Sequence, residues 1–549
     1  MQREIESTTD NAATSPVARY QALMNGRRVA IPAELTRSEP VDWADAPLRQ
    51  TIRPGLASVP AASDFDFRLW HQTAATLDAP RLAQLLLAAH GILRRRLDVH
   101  WDSSARQAAS RNPIYARGAS SGGGLYPTEL YAVTNGMHGL PDGVYHYCEA
   151  HSTLVRIRMG HFAHMVTSAL RPPSAICESY LILTLRFWKN VFKYHSFGYQ
   201  LILQDAGASA ATLSAACQEL GLRGRFFQAF QEREIGELLG VAEDEEAPVL
   251  LMGVSSGASS ASKHAAPQTE VVPLRTRPLE RSARVSIPQL VLDLHKASGP
   301  QALVPMPSHD RPWEEQNASV DDASKSLFVG ALGFPATLRN RESCWGRFRA
   351  QPAMEEADLM RVLRFAAETT GLRFRFNGRD AARVCLLALR VKNIPAGAYD
   401  YLESCQLRKT GDAPANPEEL QKLYWMRNYN LSQAAAVIAI VGATRASFDA
   451  WGDRSIRILN IAAGAIAQRI YLASSSLALG CGVVFGFNVA AAGECFHLTE
   501  GEEDPLLMAF IGPRSSSATA YDFRVSGALS QREAAGSSTL GRSKIEQSE

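Results

Sequence analysis

The spacing of hydrophobic and polar residues predicts the same series of elements twice along the chain. In the first half, it predicts a helix, a two-stranded turn, a strand, a helix of small apolar residues and a last strand, over 77–93, 131–147, 181–185, 201–220 and 248–254. In the second half, it predicts a helix, two strands, a small-residue helix and a last strand, over 355–368, 384–391, 435–441, 458–474 and 506–512. Because the order of elements repeats, we interpret the chain as one duplicated α+β unit.

Changes in composition separate the two predicted units from three less regular segments. The N-terminal segment is polar and then punctuated by proline, the middle segment is rich in Ser, Ala, Pro and charge with one helical stretch at 287–296, and the C-terminal segment is Ser-rich and charged. We therefore expect an arm, a first unit, a linker, a second unit and a disordered tail, over 1–64, 65–256, 257–325, 326–515 and 516–549.

Length and charge narrow the classes of partner. A chain of 549 residues is long enough for two domains. Its 57 Lys and Arg against 55 Asp and Glu leave a formal net charge of +2, which favours neither nucleic acid nor an anionic membrane surface as a partner. No apolar run is long enough to span a bilayer, and the N-terminus lacks an apolar signal segment. We therefore expect a cytoplasmic protein with no nucleic-acid and no membrane partner.

The cysteines give no sign of a metal site. All eight are single, with no Cys-x-x-Cys pair, so the sequence predicts neither a zinc site nor a disulfide framework. A run of serine and glycine in the first half is the clearest candidate for chemistry: Ser120-Ser121-Gly122-Gly123-Gly124-Leu125-Tyr126-Pro127. Glycines let the backbone approach a flat ligand closely and direct N–H groups at it, although such a run alone is as often a simple turn.

Three motifs together resemble one enzyme family. The motifs are Ser-Gly-Gly-x-Leu-Tyr-Pro at 121–127, the pair Lys193-Tyr194, and Asp-Ala-Gly at 205–207. They are similar to those of the SagB-type dehydrogenases, the azoline oxidases of the FMN-dependent nitroreductase superfamily, and the resemblance spans roughly residues 20–515. It implies an α+β fold of two fused nitroreductase-like units that form an intramolecular pseudo-dimer, with FMN at their interface.

The two halves depart from the family pattern in complementary ways. By resemblance, the first half supplies the residues around the flavin ring, Ser120, Ser121, Gly122 and Gly123. The second half supplies the residues around the phosphate, Arg341, Ser343, Arg347, Arg454, Arg457 and Arg514. The first half instead has Asp64 and Asp66 where a phosphate would lie, and the second half has Trp451-Gly452 in place of Lys-Tyr. We predict one composite FMN site, the alternative being that both sites have decayed.

The resemblance assigns Lys193 and Tyr194 to proton abstraction. A nearby ammonium stabilises a phenolate, which can take a proton from carbon while hydride leaves for the flavin. The predicted reaction is dehydrogenation of thiazoline or oxazoline rings in a ribosomal peptide, with a peptide or small-molecule substrate and a possible cyclodehydratase complex as partner. Family members usually continue the pair with Gly and two Arg, whereas this chain has His195-Ser196-Phe197, which leaves the substrate open. A general NAD(P)H-dependent flavin nitroreductase and a non-catalytic scaffold of the same fold are the alternatives.

Overall fold

The computed structural model of the 549-residue chain describes two units and parts of the segments that join and flank them. The described residues are 15–25, 58–70, 76–102, 107–110, 114–171, 174–256, 271, 285–299, 333–368, 372, 375–376, 379–426, 428–515 and 520–524.

The first unit is built on a seven-stranded antiparallel sheet with the strand order β1-β7-β6-β5-β8-β10-β9. The strands in this part of the chain are β1 Ser58–Pro60, β2 Ile92–Asp102, β3 Gln107–Ser110, β4 Ile114–Arg117, β5 Thr128–Thr134, β6 Gly143–Cys148, β7 Thr153–Met159, β8 Ser179–Arg186, β9 Leu222–Phe227 and β10 Glu246–Ser256. The helices are α1 Pro16–Asn25, α2 Ala79–His90, α3 Ala163–Ala169, α4 Trp188–Tyr194, α5 Gly198–Glu219, α6 Glu232–Leu239 and, between the units, α7 Gln289–Ala297.

The second unit repeats this plan with a six-stranded antiparallel sheet in the order β15-β14-β13-β16-β18-β17. Its strands are β11 Arg375–Phe376, β12 Arg379–Asp380, β13 Ala382–Ala388, β14 Gly397–Tyr401, β15 Leu407–Gly411, β16 Ala436–Gly442, β17 Leu479–Val484, β18 Asp504–Pro513 and β19 Ala520–Arg524. Its helices are α8 Gly333–Asn340, α9 Glu356–Ala367, α10 Pro417–Gln421, α11 Thr444–Trp451, α12 Ser455–Ser476 and α13 Val489–Cys495. The predicted α+β fold with two similar units is confirmed.

The two units meet along their long central helices, α5 and α12. A Cβ atom added at Gly207 would overlap the carbonyl of Ile461, and one added at Gly464 would overlap the carbonyl of Gln204. The two backbones can therefore touch because glycine stands at the same place in both helices. The helices point the same way, since Gln204 bonds Asn460 and, two turns further on, Thr212 bonds Gln468, both at 2.9 Å.

The second unit also lends elements to the first. Phe334 and Leu338 of α8 are buried in the core of the first unit, where the ring of Phe334 lies 5.6 Å from that of Trp70. Strand β19 pairs with β2 of the first unit, in antiparallel register from Ala520 opposite Asp98. The sequence predicted a disordered tail from 516 onward, and residues 520–524 correct that prediction for this stretch. Their Ala-Tyr-Asp-Phe-Arg sequence alternates in polarity, as a strand requires.

The flanking segments hold helices that the sequence predicted only in part. The expected helical stretch in the linker forms as α7, and its Val291 and Leu294 are buried in the core of the first unit. Helix α1 forms in the segment that was predicted to be an extended arm, and Tyr20 on this helix is buried. The helix has ten residues, and its three buried side chains span only about two turns, which is a short signal to recognise in a polar segment.

The helix crossing gives a test of how the units are held together. We expect Gly464→Ala to lower the free energy of unfolding by about 2–3 kcal/mol, because the new methyl group meets backbone that cannot move away. Urea unfolding measures this change. Gly493→Ala in α13 is the matched control, since nothing lies within 4 Å of a Cβ atom there. Equal urea midpoints for the two variants would show that the helices do not touch as described.

Candidate functional site

The serine–glycine run forms a tight loop between β4 and β5, which we call the glycine loop (residues 120–126). Gly122–Gly124 make one 3-10 turn, closed by the amide of Gly124 on the carbonyl of Ser121 at 3.1 Å. Gly123 and Gly124 have φ angles of +67° and +68°, which other residues adopt only with strain. The hydroxyl of Ser121 also accepts the amide of Tyr126 at 2.8 Å, so that both ends of the loop are tied to one side chain.

A buried carboxylate lies beneath the glycine loop. Asp205 of α5 accepts the hydroxyl of Ser121 at 2.6 Å and the amide of Gly122 at 2.9 Å. Burial raises the pKa of Asp205 to about 7, against the smaller opposing effects of those two hydrogen bonds and of the charge on Arg117. The sequence marked this residue only as part of a motif. Its contact with the loop was not predictable, because it depends on how α5 lies against the loop.

The predicted pair Lys193 and Tyr194 lies directly against the glycine loop. A Cβ atom added at Gly123 would stand 2.7 Å from the hydroxyl of Tyr194 and 3.2 Å from the ammonium of Lys193. The ammonium is 5.1 Å from the centre of the Tyr194 ring, within the range of a cation–π contact. The absence of a side chain at Gly123 is therefore what allows the phenol and the ammonium to reach the loop.

The second unit holds the base of the same loop. The guanidinium of Arg341 donates to the carbonyls of Gly118 at 3.0 Å and Arg117 at 3.2 Å. The side chain of Gln468 donates to Gly118 and accepts the amide of Ser120, both at 3.0 Å. The structure thus brings Ser120 and Arg341 together from two units, although two donors of Arg341 are already used on protein carbonyls.

Ser343 and Arg341 both contact Tyr471. The hydroxyl groups of Ser343 and Tyr471 are 2.7 Å apart, and the guanidinium of Arg341 stands 5.3 Å from the centre of the Tyr471 ring. The Tyr471 hydroxyl also accepts the amide of Val483 at 3.0 Å. Tyr471, which the sequence did not single out, therefore positions this part of the site.

Arg347 and Arg514 both contact one carboxylate, that of Glu342. Arg347 contacts it at 3.0 Å, Arg514 forms a short ion pair with it, and Arg94 of the first unit lies 3.2 Å away. The Glu342 side chain is 8% exposed. These two predicted phosphate ligands thus meet at Glu342, the residue that follows Arg341 in the chain. A protein carboxylate, rather than an open anion site, lies between their guanidinium groups.

Arg454 and Arg457, two of the six predicted phosphate ligands, lie away from the glycine loop at the start of α12. Arg457 is buried in an ion pair with Glu232 and a 2.8 Å hydrogen bond to Ser298. Arg454 donates to the carbonyl of Gln228 at 2.7 Å, and burial lowers its pKa to about 10. Along α12, Arg457 is separated from Gln468 by about 16 Å at 1.5 Å per residue. The sequence placed both arginines at the start of the helix correctly but could not show that Glu232 faces them.

The described residues at the glycine loop suit a flat, anionic cofactor. The three glycines leave the loop backbone without side chains, and the space around a Cβ atom at Gly124 is open to 4 Å. Arg341 and Ser343 stand on the other side of the unit boundary, where a guanidinium and a hydroxyl can meet a phosphate. Among the described residues no group of His, Cys, Asp and Glu could hold a metal ion, and no described helix is long and apolar enough to cross a membrane.

Comparison with known proteins identifies the family. A family model described as Nitroreductase family matches residues 73–257 and 338–512, which together are more than half of the chain. The protein therefore belongs to the nitroreductase family and carries two of its units. Members of this family are oxidoreductases that generally bind FMN.

Individual relatives agree with this assignment. A putative nitroreductase of Methanocaldococcus jannaschii is 29% identical over 136 residues, which are 24% of this chain and 67% of the relative. The crystal structure of a putative nitroreductase from Anabaena variabilis aligns with 91% of this chain and 100% of its own, at 20% identity and a TM-score of 0.66, and shares its fold. A chain of the E. coli microcin synthetase complex aligns with 44% of this chain at 17% identity and a TM-score of 0.26, too weak a likeness to add to the argument.

The raised pKa of Asp205 predicts how stability depends on pH. The pKa of an unfolded aspartate is near 3.8, and that of the folded Asp205 is about 7. The folded state therefore holds its proton more tightly, and the contribution of this residue to stability falls as pH rises from about 4 to about 7. We expect the free energy of unfolding of Asp205→Asn, relative to that of the parent, to increase by on the order of 2–4 kcal/mol from pH 5 to pH 8.

Urea unfolding at the two pH values measures the difference. Asp244→Asn, which changes an exposed aspartate, is the control and should follow the parent at both. A difference between Asp205→Asn and the parent that stays constant with pH would contradict the prediction.

Proposed function

We propose that this protein is an FMN-dependent dehydrogenase that oxidises thiazoline or oxazoline rings of a ribosomal peptide to thiazoles or oxazoles. One observation carries the proposal. Gly123 lies against Tyr194 and Lys193, while the base of the same loop is held by Arg341 of the other unit. A base, a bare backbone and an arginine–serine pair thus meet at one boundary, as a single composite site requires.

In this proposal each unit has its own task in holding FMN. The backbone of the glycine loop, from Ser120 to Gly123, faces the ring system, and Arg341 with Ser343 receives the phosphate. Arg347 and Arg514 contribute positive charge close by, although Glu342 binds both of them. Fusion of two units allows this division of labour, because the two copies can differ in sequence, as identical subunits cannot.

The chain itself supplies the base. Oxidation of an azoline removes a proton from one ring carbon and a hydride from its neighbour, and a double bond forms between them. We assign the proton to the Tyr194 oxygen, which lies against the glycine loop beside the Lys193 ammonium. Bound FMN supplies the chemistry of hydride acceptance, with molecular oxygen as the final oxidant. The aromatic product makes the reaction favourable.

The substrate class implies partners. An azoline ring must first be made by a cyclodehydratase, so we propose that the protein works in a complex with such an enzyme. The unusual His195-Ser196-Phe197 sequence after the catalytic pair adjoins the site, and Phe197 is buried. We expect differences in this segment to influence which ring and which flanking residues are accepted.

Cofactor stoichiometry tests the composite site. We expect one FMN per chain, measured by the visible absorbance of purified protein. Arg341→Ala should weaken FMN binding about tenfold or more, because it removes a charge and releases the loop base. Arg454→Ala is the matched control at the unit boundary and should bind FMN like the parent, since Arg454 contacts Gln228 instead.

Other stoichiometries would change the conclusion. Two FMN per chain would replace one composite site by two independent sites. A protein that stays colourless with added FMN would favour the non-catalytic scaffold. Rapid bleaching of bound FMN by NADPH without air, together with no oxidation of azolines, would favour a general nitroreductase.

The assigned base has its own test. Tyr194→Phe should retain bound FMN and oxidise an azoline peptide at least about a hundredfold more slowly, because the hydroxyl that takes the proton is gone. Product formation is followed by the loss of two mass units per ring. Tyr115→Phe, which changes an exposed tyrosine, should oxidise the peptide like the parent. A Tyr194→Phe variant as fast as the parent would remove this residue from the mechanism.

A further inference from the structure

We propose that Asp205 is the positioning residue of the site: through Ser121 and Gly122 it holds the glycine loop in the one conformation that places Gly123 against Tyr194 and Lys193. The residue touches neither of the catalytic side chains in the described contacts, and it acts through the loop. The inference about the loop stands on geometry alone, and only its catalytic consequence rests on the function proposed above.

Asp205 ties the loop to a rigid support. It lies on the 22-residue helix α5, whose buried face forms the boundary between the units. Its two oxygens are used separately, one by the Ser121 hydroxyl and one by the Gly122 amide. Because two bonds from two loop atoms fix both position and orientation, the loop cannot rotate about either contact.

The same contact extends to the far end of the loop. The Ser121 hydroxyl donates to Asp205 and accepts from the Tyr126 amide. A hydroxyl has only one proton, so donating it to the carboxylate leaves the oxygen lone pairs directed at Tyr126. The carboxylate therefore orders a chain of hydrogen bonds that spans residues 121–126.

Few contacts from outside hold the loop above its base. The second unit binds Gly118 and Ser120, before the glycines begin. Gly123 and Gly124 have no side chains, and glycine loses more conformational freedom on ordering than any other residue. Among the described hydrogen bonds of residues 121–126, those from outside the loop are the two with Asp205 and one from the Arg117 amide to the Tyr126 hydroxyl at 3.1 Å. Asp205 therefore holds the glycine end of the loop and offsets that entropic cost.

The buried carboxylate is costly, which indicates a role beyond packing. Arg117, whose own carboxylate partner is Glu149 at 2.7 Å, is the charged neighbour that favours ionised Asp205, and burial opposes it. An asparagine could make the same contacts without that cost: its oxygen can accept from Gly122, and its amide group can donate to Ser121. The conservative variant is therefore a sharp test, because it separates the hydrogen bonds from the charge.

Hydrogen–deuterium exchange of the FMN-free protein, at single-amide resolution, tests the loop directly. In Asp205→Ala, the Gly122 and Tyr126 amides should exchange at least about tenfold faster than in the parent at the same pH. In Asp205→Asn, they should stay within about threefold of the parent. The Ser120 amide, which is bonded to Gln468, is an internal control and should not change in either variant.

Ser121→Ala removes the same link from the loop side without altering α5. It should release the Tyr126 amide as Asp205→Ala does, and at that amide the double variant should exchange no faster than either single one, since both break one chain of bonds. Asp205→Ala that leaves Gly122 and Tyr126 protected as in the parent would overturn the proposal. So would additive effects on the Tyr126 amide in the double variant.

Azoline oxidation by the FMN-loaded protein tests the consequence. Asp205→Ala should lower kcat about tenfold or more with KM little changed, and Asp205→Asn should recover most of that loss. A role in folding alone would not be rescued in this way, and Glu219→Gln, which changes another buried carboxylate on α5, should have parental kcat. If no variant oxidises azolines, the proposed function fails, while the exchange data still decide the role of Asp205.

Discussion

The close contact between α5 and α12 is the constraint on which the rest of the structure depends. Gly207 and Gly464 let the two helices touch backbone to backbone, and this contact sets how far apart the two sheets lie. The bonds that the second unit makes to the base of the glycine loop depend on that spacing. Gln468 reaches Gly118 and Ser120 because it lies one turn beyond Gly464 on the same helix, and Asp205 lies two residues before Gly207 on the other.

Chemical groups are distributed unevenly over this nearly symmetrical frame. The first unit contributes the loop, the phenol and the ammonium, and the second contributes Arg341, Ser343 and the supporting Tyr471. At the equivalent start of α12, two arginines are used inside the protein, where Glu232 neutralises Arg457. Polar groups from both units thus surround the accessible glycine loop. At the start of α12, by contrast, ion pairs occupy the polar groups.

Features that depend on local pattern could be predicted from sequence. The order of helices and strands followed from hydrophobic spacing, and the meeting of Gly123 with Lys193-Tyr194 was implied by the motif order. Features that depend on which side chains face each other could not be predicted from sequence. The carboxylates of Glu342 and Glu232 decide whether nearby arginines are available, and neither residue shows in sequence which arginine it meets. Strand β19 was missed for a related reason, since a five-residue strand is recognised by its partner β2.

The packing of α8 and β19 from the second half on the first unit has a consequence for how such a protein can change over time. Phe334 and Leu338 complete the core of the first unit, and β19 pairs with its strand β2, so the first half does not have a complete core when it stands alone. Gene duplication usually frees one copy to drift or to be deleted. Here segments of the second copy complete the core of the first, so the fold of the second copy must be retained even where its own catalytic residues have been lost. The two copies must therefore be inherited together.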